Sequence, residues 1–145
     1  MNTSEKYGQL NGNQDEEHFI HLVQVAIADG IIHDDELQML HRCGRSIGLT
    51  DLEIDDAIAS TKKTTFIPPY ELSKRFEQMY DMVKMILADG KIDNSEMRLV
   101  TSLALKSGFN ENEIPGLLSI LISGIRNRED EEDLFKMYAK KRKTA

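Results

Sequence analysis

The chain has 145 residues, 40% of them hydrophobic, and carries 25 acidic against 18 basic side chains for a formal net charge of -7. That length can bury a core without disulfide or metal support, and the acidity argues against general nucleic-acid binding, which needs basic surface to displace counterions from phosphate. No run approaches the roughly 18–20 apolar residues of a membrane-spanning helix, while the single cysteine, Cys43, cannot form an intrachain disulfide and fits a reducing, cytoplasmic setting.

Residues 1–15 are polar, with no apolar signal core, and predict a flexible tail ahead of one helical domain over 16–145. Phe19, Leu22, Val23, Ala26 and Ile27 then follow the three-four spacing of one helical face. The helix is expected to end at Ala28-Asp29-Gly30, because glycine accepts the left-handed backbone that closes a helix. After Ile31-Ile32, His33 and Glu36 occupy the first and last places of a capping box, His33 being the poorer cap. A second helix on Leu37, Leu40, Gly44 and Ile47 stops at Gly48, and Thr50-x-x-Glu53 opens a third. Thr61 to Pro69 is hostile to helix through its threonines and paired prolines. Repeat 1 is therefore expected over about 16–60 and a linker over 61–69.

The second half repeats this plan, over about 70–125. Residues 26–58 align without gaps on 86–118, with identities at Ala28/Ala88, Asp29/Asp89, Gly30/Gly90, Ile32/Ile92, Glu36/Glu96, Gly48/Gly108, Glu53/Glu113 and Ile54/Ile114. A long helix begins near Pro69 and reaches Asp89, with Met79, Met82, Val83, Ile86 and Leu87 in the five apolar places. Asp93 and Glu96 form the next capping box, and the following helix carries Met97, Val100, Ala104 and Ser107 to Gly108. Asn110-x-x-Glu113 opens the third. A last helix over about 128–143 has the acidic run from Glu129 to Asp133 at its start and Lys140-Lys141-Arg142-Lys143 at its end, which matches the helix dipole. No segment alternates with period two, so the expected fold is all-α: about seven helices in two pseudo-symmetric three-helix repeats, without a sheet.

A helix ending in Ala-Asp-Gly, a hydrophobic residue, then an acid-led start with Glu resembles the TerB-like family, named for a tellurite-resistance protein. It is also similar to the N-terminal domain of a membrane-anchored J-domain co-chaperone. The resemblance covers about residues 16–125 in both repeats. It implies an all-α fold of two pseudo-symmetric halves, a divalent-cation site at the acidic turns, and roles in stress response or scaffolding. Carried over residue by residue it falls on Asp29, Glu36, Asp89, Asp93 and Glu96, with His33 standing where an acid opposite Asp93 is expected. The chain has no His-Pro-Asp motif, which removes direct chaperone activation.

Physical chemistry leaves two readings of these acids open. A carboxylate at a helix C-terminus faces the negative end of the dipole at a cost of about 0.3–1 kcal/mol. Asp29 and Asp89 could offset it by accepting turn N–H groups, with Glu36 and Glu96 capping helices. Alternatively Asp29, Asp34, Asp35 and Glu36 could converge with Asp89, Asp93, Asn94 and Glu96 on calcium or magnesium, which prefer clustered oxygens. An EF-hand is excluded: its first and third ligand places would be Val25 and Ile27, or Met85 and Leu87, none of which offers a side-chain oxygen.

His18 and His21 share a helix face, but two ligands do not make a zinc site, and Cys43 aligns with Leu103 as a small buried residue. No nucleophile-base set or phosphate loop can be placed, so the chain reads as not an enzyme. Leu117, Leu118, Ile120, Leu121 and Ile122 make a helix apolar nearly all round, either the central helix or a contact face for a partner or second copy. The expected function is a non-enzymatic interaction or scaffold domain whose acidic turn face meets an unknown basic or cation-bridged protein partner; a divalent-cation-binding regulator that uses the duplicated Asp-Gly turns is the alternative.

Overall fold

The computed structural model describes residues 12–62, 64, 66–89 and 93–144, and the side chains of these except Gly12, Asn13, Asp89, Lys143 and Thr144. Among the described residues there are seven α-helices, two 3-10 turns and no strand. The contacts divide the chain into two compact units, Met1–Ile67 and Pro68–Ala145, with the boundary inside the linker expected at 61–69. The tail expected over 1–15 lies outside the described residues as far as Asn11; from Gly12 the chain is helical.

The first unit holds α1 (Gly12–Ala26), α2 (Asp34–Ser46) and α3 (Asp51–Thr61), each packed on the other two. After α1 the chain turns through Gly30, at φ +81, and after α2 through Gly48, at φ +96, which is the left-handed closure the glycines predict. Thr50 and Glu53 form the expected reciprocal cap: Thr50 Oγ1 accepts the Glu53 amide at 3.1 Å, and the Glu53 carboxylate accepts the Thr50 amide at 2.9 Å. Phe19, Leu22, Leu40 and Ile54 are fully buried. Helix α2 passes so close to α3 that a Cβ on Gly44 would lie 2.5 Å from Ile54 Cγ1.

The second unit holds α4 (Leu72–Ile86), a 3-10 turn at Leu87–Asp89, α5 (Asn94–Lys106), a 3-10 turn at Glu111–Glu113, α6 (Ile114–Arg126) and α7 (Glu131–Thr144). Helix α6 packs on α4, α5 and α7, so Leu117, Leu118 and Leu121 are buried and the central-helix reading of this apolar segment holds within its unit. Gly124 lets α7 approach, its Cβ direction being filled by Leu134.

Three boundaries differ from expectation. Helix α4 starts at Leu72 rather than near Pro69, with Glu71, its N-cap, still extended (φ -75, ψ 131). The Asn110 box does not form a cap on an α-helix: residues 111–113 make a 3-10 turn, and Pro115 has no N–H to continue an α-helical ladder back to Glu111. Helix α7 starts at Glu131 because Arg128 takes a left-handed backbone (φ 59) that closes α6.

Six pairs of core positions lie sixty residues apart, although the match is not complete: Val25 is buried where Met85 is half-buried, and Ala57 is half-buried where Leu117 is buried. Phe19/Met79, Leu22/Met82, Val23/Val83, Leu40/Val100, Cys43/Leu103 and Ile54/Ile114 are all core positions. The α2 face is rotated slightly from the expected Leu37-Leu40-Gly44-Ile47 row: Glu36, Met39, Leu40, Cys43 and Gly44 are buried, while Leu37 and Ile47 are half-buried. Met97 is half-buried in the same way on α5, where Glu96, Leu99, Val100, Leu103 and Ala104 form the buried row.

Candidate functional site

Three carboxylates of the acidic turns, Asp29, Glu36 and Asp93, accept hydrogen bonds from nearby backbone N–H groups. Asp29 is exposed and its Oδ1 accepts the Ile31 amide at 3.1 Å, the Asx-turn that its place after α1 favours. Glu36 turns inward to 3% exposure and its Oε1 accepts the His33 amide at 3.2 Å. Asp34 and Asp35 stay exposed in the first turn of α2, where negative charge suits the helix dipole. In the second unit Asp93 caps α5, its Oδ1 accepting the Glu96 amide at 2.9 Å and the Ser95 hydroxyl at 2.8 Å. Asn94 is exposed, Glu96 is 7% exposed, and the Asp89 side chain and Gly90 lie outside the described residues. Among the described residues no group of three or more His, Cys, Asp or Glu side chains is placed to hold a metal ion.

The histidines are likewise separated. His21 sets its ring edge-on to Phe66, with centroids 5.5 Å apart, and burial lowers its pKa against the opposing effect of its bond to Gln24. His41 instead joins two helices. Its Nδ1 lies 2.7 Å from Asp51 Oδ1 and its Nε2 2.9 Å from Asp55 Oδ1, while Arg45 Nη1 donates to Asp51 at 3.0 Å. This network bridges the seam between α2 and α3. Hydrogen bonding to Asp51, the largest influence, raises the His41 pKa, and the same bond lowers that of Asp51.

The corresponding seam in the second unit, between α5 and α6, is open. Sixty residues on, His41, Arg45 and Asp55 become Thr101, Leu105 and Pro115, so the bridging charges are gone and only Asp51 keeps an acid, Glu111. What remains is a groove of about 790 Å³ with Ile114 and Leu118 at its floor and Met97, Thr101, Leu105, Ser119 and Ile122 along its sides. Thr101 donates its hydroxyl back to the Met97 carbonyl at 2.7 Å, which satisfies it within α5. Leu105 is 48% exposed beside this groove. Glu111 marks the end near the start of α6, and Arg126 marks the other.

No protein-family model, curated protein or solved structure matches this chain.

A second polar arrangement fastens α7. Tyr138 is 2% exposed, stacks on Phe76 with centroids 5.5 Å apart, and donates its hydroxyl to Glu113 Oε2 at 2.8 Å. Arg142 Nε donates to Glu113 Oε1 at 3.1 Å. Burial alone would raise the Glu113 pKa, but the bonds from Tyr138 and Arg142 outweigh it and lower it, while burial and that same carboxylate push the Tyr138 phenol well up. Glu113 is thus a lock between α6 and α7 rather than a helix cap.

Among the described residues no helix is long and apolar enough to cross a membrane. Neither the groove nor the lock lies at the acids considered for a cation site, and Glu113 was expected only as a helix cap. The available signal for the groove was the apolar run from Leu117 to Ile122, read as a central helix or a contact face, together with the loss of charge at 41/101, 45/105 and 55/115.

Proposed function

We propose that this chain is a non-enzymatic, cytoplasmic protein-interaction domain of the TerB-like kind, serving a stress-related or tellurite-resistance assembly as a scaffold. The observation that carries the interaction reading is the α5–α6 groove. Apolar surface lies open there at the positions where the first unit has an ion-paired bridge, and open apolar concavities on a small domain mark binding sites. The acidic turns support the reading less, since the engaged carboxylates of Asp29, Glu36 and Asp93 already serve local backbone geometry. The TerB-like assignment rests on the Ala-Asp-Gly pattern of both halves.

Site-specific photocrosslinking in cells tests the docking role. A photoreactive residue at position 119 is expected to give a discrete protein adduct, and one at position 59, the matching place on α3, none. Equal labelling from both positions, or none from either, contradicts it.

A further inference from the structure

We infer that the occupant of the α5–α6 groove is an amphipathic α-helix of a partner protein, about three turns long, acidic in its first turn and basic in its last. It runs antiparallel to α6. This rests on the docking role proposed above and names the partner's chemistry.

The groove has the length and curvature of a helix seat. Helix α6 has 13 residues, so at about 1.5 Å per residue the seam runs about 20 Å, the length of a helix of about 12–14 residues. The seam is concave between two helices joined by a short connection, a form that a third helix fills with an i, i+3, i+4, i+7 apolar stripe. Two such concavities facing each other in a pair of identical chains would leave both unfilled. A compact small molecule would reach only one of the charged ends.

The charges at the groove's two ends set the direction of the bound helix. Glu111 and Arg126 stand at opposite ends of a groove whose middle carries no ionised side chain. A bound helix therefore needs a base at the Glu111 end and an acid at the Arg126 end. Helices favour acids in the first turn and bases in the last, because these complement their own dipole. Only the antiparallel direction lets the same side chains satisfy both demands: the acidic start meets Arg126, and the basic end meets Glu111.

The probe is a fluorescein-labelled helical peptide with leucines at i, i+3, i+4, i+7 and i+11, Glu in the first turn and Lys in the last, titrated against the full chain by anisotropy. Saturable binding is expected, with a scrambled peptide of equal composition failing to saturate. Ser119→Arg, an exposed position whose change leaves the core intact, should weaken binding at least tenfold, and Leu105→Glu should act likewise. Exchanging the end charges by Glu111→Lys with Arg126→Glu should weaken it by about tenfold. Circular-dichroism melts of each variant confirm folding. Binding unaffected by Ser119→Arg, or by the charge exchange, overturns the proposal. A crosslink at position 119 with no peptide binding rejects the helix while leaving the docking role. Sedimentation as a dimer that Ser119→Arg dissociates assigns the groove to a second copy and overturns the partner helix.

Discussion

His41 and Asp51 join α2 to α3 through a 2.7 Å contact at Nδ1, and the second ring nitrogen of His41 is held by Asp55 at 2.9 Å. Carboxylate oxygens on both sides of an imidazole require both nitrogens to carry protons, so the bridge favours imidazolium. The folded pKa accordingly lies above 6.5, with the bond to Asp51 as the main cause. A group whose pKa rises on folding contributes stability that is fully present below the unfolded pKa and is lost as pH rises through the folded one. Melting temperatures followed from about pH 5 to about pH 9 should show wild type above His41→Gln on the acid side, with the gap closing as pH rises. His21 acts with the opposite sign, since burial lowers its pKa, and it cancels in the comparison because both proteins carry it.

Gly44 is expected to be intolerant of even a methyl group. A Cβ there would stand 2.5 Å and 2.6 Å from Ile54 Cγ1 and Cδ1 and 3.2 Å from Phe19 Cζ, and both side chains are fully buried. Overpacking of this kind costs about 1–3 kcal/mol. Urea unfolding should place Gly44→Ala in that range, and Gly44→Ala with Ile54→Val should recover part of the loss. Position 104, its counterpart, already carries alanine.

Tyr138 separates packing from hydrogen bonding. Tyr138→Phe keeps the stack on Phe76 and removes only the bond to the Glu113 carboxylate, a loss of about 1.5–3 kcal/mol for a bond to a charged group. Tyr138→Ala also empties the aromatic site and should cost about 3–5 kcal/mol. Equal effects in denaturant unfolding would show that the ring contributes nothing beyond its hydroxyl.

Asp29 distinguishes a turn from a cation ligand. Asparagine keeps the Oδ1 that accepts the Ile31 amide and loses the charge, so Asp29→Asn should melt within about 1 kcal/mol of wild type. Calcium or magnesium should shift neither protein. An ion-dependent rise in the wild-type melting temperature that the variant lacks would assign the turn to cation binding.

Helix ends with a local cause were legible from residue types: Gly48 and Gly108 close helices at φ +96 and +95, and Thr50 with Glu53 caps one. The apolar faces Phe19 to Ile27 and Met79 to Leu87 were legible from spacing alone. Glu113 was not, because its partners Tyr138 and Arg142 lie 25 and 29 residues away and draw it from the cap its spacing suggests. The inward turn of Glu36 was equally hidden, since a capping acid can stand in solvent or against the core with the same sequence. One wall of the groove was legible, since Leu118 and Ile122 belong to the apolar run read as a central helix or a contact face; its opening was not, because it depends on charges that the second half lacks at 101, 105 and 115.

The most direct test of the groove as the binding surface is amide chemical-shift mapping of the full chain during titration with the acid-first, base-last helical peptide. Perturbations should be confined to Met97, Thr101, Leu105, Leu118 and Ile122 and their neighbours on α5 and α6, with Leu37, His41 and Arg45 unmoved. Perturbations centred on the α2–α3 seam or on the Asp29 turn, or none at saturating peptide, would contradict the groove's role.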